Sequence, residues 1–185
     1  SPATVLGGSS STATVTLSSP APAGGAVVTL SSDNAAASVP VSVTVAAGAT
    51  TANFAVATAG VGAIISVNVS ATFNATHTTT LTITPAVLST LILNPEAVNG
   101  GEVSVGTVTL SGPAPAGGAV VALASDNAAA PVPVSVTVAA GATTAAFSVS
   151  TGAVFTFTEV NISASYLGTA TATLMIDTAV LWNLS

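Results

Sequence analysis

The chain has 185 residues, half of them hydrophobic, with no Cys, no Lys and no Arg against six acids, for a formal net charge of −6. Without cations it has nothing to neutralise phosphates or anionic lipid headgroups, which excludes nucleic-acid binding and electrostatic membrane attachment. Without Cys it has neither disulfides nor thiolate metal sites, and no apolar run reaches the roughly 18 residues of a membrane-spanning helix.

Taken in chain order, the elements alternate with period two. "TATVTLS" sets Ala13, Val15 and Leu17 against Thr12, Thr14 and Thr16. "PVSVTV" sets Val41, Val43 and Val45 against Ser42 and Thr44, and "ISVNVSATF" sets Val67, Val69, Ala71 and Phe73 against Asn68, Ser70 and Thr72. Such alternation describes half-buried antiparallel strands. Turn signals separate them: "SSPAPAGG", "SDNAAAS", "AAGATT" and "YLGT".

The whole pattern then repeats. "ATVTLSSPAPAGGAVVTLSSDNAAA" at 13–37 returns at 106–130 as "GTVTLSGPAPAGGAVVALASDNAAA", so Asp33 becomes Asp126 at an offset of 93 residues. The same offset pairs Phe54 with Phe147, Asn68 with Asn161, and Leu81 with Leu174 without a gap. Roughly three-fifths of aligned positions are identical, which marks a duplication of one structural unit. About seven strands in each unit are the proportions of an Ig-like sandwich, although the antibody-type Cys pair and core Trp are missing.

The ends of the repeat are out of phase with the ends of the chain. "PAVLSTLIL" at 85–93 reads as the A strand of the second unit, and "TAVLWNLS" at 178–185 is a second version of it. Ser1 aligns with Asn94, so the first unit has no version of its own. The expected class is therefore all-β: two tandem Ig-like antiparallel β-sandwich domains, the first lacking its A strand, plus a C-terminal donor strand. The expected boundaries are 1–84, 85–177 and 178–185.

A sandwich short of one strand leaves an unpaired edge and a strip of open core. A free apolar strand complements it, and pairing between copies is β-augmentation by a donor strand. Donor and acceptor are different patches, so the contact is heterologous and propagates head to tail. Strict alternation puts Val180, Trp182 and Leu184 on the inserted face and Leu181, Asn183 and Ser185 on the other. Burial of three such side chains contributes about 5–9 kcal/mol before entropy costs. The same segment also fits a covalent run into a further repeat of a longer array.

The runs "VTLSSPAPAGGAVVTLSSDNAAA" and "VPVSVTVAAGATTANFAV" resemble the tandem Ig-like repeats of secreted and cell-surface prokaryotic proteins. The resemblance covers nearly the whole chain. It implies an extracellular or cell-surface location and a role as stalk, adhesin spacer or filament unit. The expected function is a structural subunit of an extracellular, pilus-like filament whose partner is another copy of itself. The alternatives are a segment of a long adhesin or stalk, and a carbohydrate-binding accessory module.

Four N-x-S/T sequons make Asn68, Asn161, Asn74 and Asn183 candidate N-glycosylation sites, and N-linked glycans candidate covalent partners. Asn68 and Asn161 are equivalent and lie on the polar face of their strand; Asn74 sits at a hairpin turn. His77, the single histidine, reads as structural or exposed. Asp33-Asn34 and Asp126-Asn127 read as turn makers, and the dispersed acids offer no calcium set. Phe54, Phe147, Phe73 and Tyr166 read as core. No nucleophile–base pair assembles from this inventory, so no catalytic residue, metal or cofactor is expected.

Overall fold

The computed structural model describes residues 3–178, which form two compact units divided between Pro85 and Ala86. Every regular element among the described residues is a β-strand. The proposed donor residues Val180, Leu181, Trp182 and Leu184, and Asn183, lie outside the described residues.

Unit 1 comprises β1 (Thr4–Leu6), β2 (Ser10–Thr16), β3 (Ala26–Ser32), β4 (Ala37–Ser38), β5 (Ser42–Val45), β6 (Thr51–Thr58), β7 (Ile65–Phe73) and β8 (Ala75–Thr84). One sheet runs β1-β8-β7-β3-β5 and the other β2-β6-β4. Unit 2 comprises β9 (Leu88–Asn94), β10 (Ala97–Asn99), β11 (Val103–Leu110), β12 (Ala119–Ser125), β13 (Ser135–Val138), β14 (Thr144–Ser150), β15 (Thr158–Ser165) and β16 (Thr169–Asp177). Its sheets run β10-β16-β15-β12-β13 and β14-β11-β9. Each unit is an Ig-like sandwich, and the alternating apolar faces of its two sheets meet in one core.

The short strands β1 and β10 pair parallel with the last strand of their own unit, Val5 beside Ile83 and Val98 beside Ile176. The sequence stretch around Ser1, which aligns with that around Asn94, therefore leads into the second half of a split first strand. Tight turns hold the layers in place. Gly25 and Gly118 both have positive φ (82° and 84°), and a Cβ at either would stand 2.8 Å from a carbonyl oxygen, that of Val45 or Val138. Only glycine satisfies both demands.

Two inward assignments fail at strand ends. Val41 and its equivalent Val134 are 84% and 87% exposed, because the strands begin one residue later, at Ser42 and Ser135. Val41 and Val134 instead use their carbonyls, which accept the N–H groups of Leu30 and Leu123 at 3.0 Å. Phe73 is exposed at the β7–β8 hairpin rather than in the core, and Tyr166, its equivalent, is half-buried.

Candidate functional site: an open strand position in the first unit

In unit 2, β9 pairs antiparallel with β11, from Val105 opposite Asn94 to Leu110 opposite Leu88. It also packs across onto β16 and β15. Its Leu88, Leu91 and Leu93 are buried in the core, with Ala86 just ahead of them. The register shifts between Thr109 and Leu110, so Ser89 and Thr90 both stay exposed between two buried leucines. This bulge breaks the period-two alternation.

Unit 1 has no such strand among the described residues. Its β2, the equivalent of β11, pairs with β6 on one side and is the edge of its sheet, where β11 is central. In place of β9 there is a groove of about 680 Å³. It is lined by Ala13 and Val15 of β2 with Leu17 just after it, by Ala71, Phe73, His77 and Thr79 of the β7–β8 hairpin, and by Phe54 and Val69. The burial of equivalent residues registers the difference. Leu110 and Ala164 are buried in unit 2, whereas Leu17 and Ala71 are only half-buried in unit 1. Apolar side chains and an open strand edge together suit an extended peptide: the backbone groups of β2 can supply a ladder, and the groove has room for apolar side chains.

How β9 enters its place defines the mouth. Leu88 N–H donates to Tyr166 O at 3.0 Å, Val87 N–H donates to Ser111 Oγ at 3.0 Å, and Val87 O accepts from Ser111 N–H at 2.9 Å. In unit 1 the matching residues are Phe73 and Ser18, and both line the groove. His77 also lines it, exposed, on the hairpin.

The sequons Asn68 and Asn161 occupy a different kind of site. Asn68 Nδ2 donates to Asp33 Oδ2 at 2.9 Å, Asn68 N–H donates to Asp33 Oδ1 at 2.9 Å, and Thr80 Oγ1 donates to Asn68 Oδ1 at 3.0 Å. Unit 2 repeats this with Asn161, Asp126 and Thr173, at 2.9, 2.8 and 2.9 Å. These hydrogen bonds hold the Asp126 carboxyl below its ordinary range, the Asn161 side chain contributing most and the Asn161 backbone next. The aspartates thus brace the end of β3 or β12 against the next strand. Turn-making falls to Asn34 and Asn127, whose Oδ1 atoms accept the N–H groups of Ala36 and Ala129 at 2.9 Å. Asn74, by contrast, is exposed at a hairpin tip with φ 58°. Among the described residues no three metal-ligating side chains converge.

No family model matches the chain, and no curated protein matches it. Among solved structures it is similar to the D0–D1 domain of intimin, at 15% identity, TM-score 0.39, covering 95% of each chain. It is similar to the Yersinia pseudotuberculosis adhesin InvE at 13% identity and TM-score 0.45, over 95% of this chain and 56% of that one. The surface layer protein SbsC, domains 4–9, is similar at 18% identity and TM-score 0.38, over 88% of this chain and 23% of that one.

Proposed function

We propose that the chain is a structural subunit of an extracellular filament, in which residues 178–185 of one copy fill the groove in unit 1 of the next. The observation that carries this reading is the groove itself. It lies where β9 lies in unit 2, and 178–185 is the sequence equivalent of 85–92. A free strand edge over exposed core is a standing liability, and a strand of matching sequence removes it. The contact is heterologous, so it propagates rather than closing on itself in a pair.

Carrying over the register of β9 changes which tail residues point inward. Leu181 and Leu184 take the places of Leu88 and Leu91, and Trp182 takes the outward place of Ser89 at the bulge. Val180 would then bond Ser18 as Val87 bonds Ser111, and Leu181 N–H would donate to Phe73 O. Two buried leucines contribute about 3–6 kcal/mol before entropy costs, with the ladder hydrogen bonds in addition.

The intact mass of fully denatured native material tests the proposal. A discrete species at the mass of the bare chain, or heavier by sugar-sized increments, with filaments present before denaturation, supports it. A species many times larger means that the groove is filled by a covalently preceding strand of a longer stalk. A discrete species with no higher assembly at any concentration overturns the strand-exchange reading.

A further inference from the structure

We propose that Phe155 and Phe157 form a second contact at the joint between copies, packing on the tip of the next copy's unit 1 around Pro20 and Phe73; this rests on the strand-exchange reading above. Both aromatics stand in the loop between β14 and β15. Phe155 is 99% exposed and Phe157 54% exposed.

The loop beneath them is firmly tied. Thr151 Oγ1 donates to Glu102 O at 2.7 Å and accepts from Gly101 N–H at 3.0 Å, Gly152 N–H donates to Ala129 O at 2.8 Å, and Val154 packs on the core. A fully exposed phenylalanine on a fixed loop adds nothing to the stability of its own unit. The equivalent loop of unit 1 carries Gly62 and Ile64 at these two positions, so the sandwich does not require aromatics there. Their use lies outside the unit that carries them.

The occupant follows from distance along the chain. The loop ends at Thr158, which pairs with Ile176, and β16 ends one residue later at Asp177. The aromatics therefore sit at the end of the sandwich from which the tail departs. From Asp177 to Leu181 is four residue steps, which span at most about 14 Å when fully extended. Once Leu181 lies at the Ser18–Phe73 mouth, this end of unit 2 is held against the tip of the acceptor. That tip offers Pro20 and Phe73, the latter 37% exposed. None of the residues lining the groove is acidic, so Glu102, Glu159 and Asp177 at the donor end meet no like charge there. Aromatic residues at the centre of a desolvated joint are the usual carriers of binding energy.

Full-length F155S/F157S, F155Y and V41S chains, compared with wild type in the concentration needed for filament formation, test the inference. A labelled peptide of residues 178–185 on each chain below that concentration measures the groove alone. The double Ser variant should require about tenfold or more protein to assemble, while its affinity for the peptide and its thermal unfolding stay at wild-type values. F155Y should assemble normally, as should V41S, which removes another exposed apolar side chain elsewhere. Wild-type assembly by the double Ser variant, with peptide binding intact, overturns the inference and leaves strand exchange standing. Absence of both wild-type assembly and peptide binding overturns strand exchange, and the inference with it.

Discussion

The two units are one sequence folded twice, and their largest difference is a single strand. In unit 2, β9 turns β11 from an edge into a central strand and seals the core with Leu88, Leu91 and Leu93. Among the described residues the corresponding edge of unit 1 is unpaired and a groove remains. The rest of unit 1 nevertheless keeps its architecture: Val45, Val67 and Ile83 are as completely buried as Val138, Val160 and Ile176. The sandwich is thus specified by strands other than the first, and the first strand acts as a separable insert. A unit that keeps its core without that strand suits the acceptor role proposed above.

The comparison breaks most sharply if the open strand position of unit 1 is filled in cis. A chain extended upstream of Ser1 by a copy of residues 85–93 would place three leucines over the groove in cis. Burial of the three contributes about 5–9 kcal/mol before ordering costs, so the unit 1 transition should move up in urea by several kcal/mol. The extended chain should also fail to bind the 178–185 peptide and fail to form filaments. Unchanged unfolding together with unchanged assembly would show that the groove is not a strand site.

Next in size is the register within the groove. If the tail follows β9, L184D places a charge in apolar surroundings, and assembly should be lost at all accessible concentrations. W182S, at the outward position of Ser89, should change the assembly concentration by less than about tenfold. If strict alternation governs instead, W182S becomes the more damaging of the two after L184D, and L181S becomes mild. Measuring the three variants by light scattering separates the two registers.

A subtler difference lies on the floor. Gly106 of unit 2 faces Phe147 across the β11–β14 pair, and a Cβ at Gly106 would run into the Phe147 ring. The ring lies over the glycine and β9 closes above. Unit 1 has Ala13 at this place, and Phe54 lines the groove. G106A should therefore force the Phe147 ring aside beneath a strand that leaves no spare room. The cost should be about 1–3 kcal/mol in the unit 2 transition. The reverse change, A13G, lets Phe54 settle over the backbone and should alter peptide affinity while leaving unit 2 untouched.

Much of this is legible in the sequence. The period-two runs gave the strands because one face of each is packed and the other wet, and the 93-residue offset exposed the missing strand position. What alternation cannot carry is a bulge. One extra residue at Ser89 inverts the faces on one side of it, and the signal is a hydrogen-bond register, not a composition. Strand ends fail for a related reason. Val41 and Phe73 continue an alternating run in sequence, but the sheet stops before one and the groove opens beside the other. The aspartate braces also escape a local reading, because Asp33 and Asn68 are 35 residues apart. Phe155 and Phe157 had one signal available: they replace Gly62 and Ile64 in an otherwise similar repeat.

The smallest expected effect concerns those braces, and it has a definite sign. Hydrogen bonds from Asn161, side chain first and backbone second, hold the folded-state pKa of Asp126 below its ordinary value. Its contribution to stability is therefore fully present above about pH 4, the ordinary carboxylate range. It is lost as the pH falls through the lowered folded-state value. Against D126N, wild type should show a small advantage at pH 7 that shrinks steadily below pH 4, as read from urea midpoints across that range. An advantage that grew on acidification would mean that Asp126 is protonated in the working fold. Acid should do little else to this chain. With no Lys or Arg, protonating the carboxylates removes charge and leaves almost none of the positive self-repulsion that unfolds ordinary proteins at low pH. Assembled material should accordingly survive pH 2–4, where the loosened brace would appear as faster amide exchange at Asn161 without loss of the sandwich.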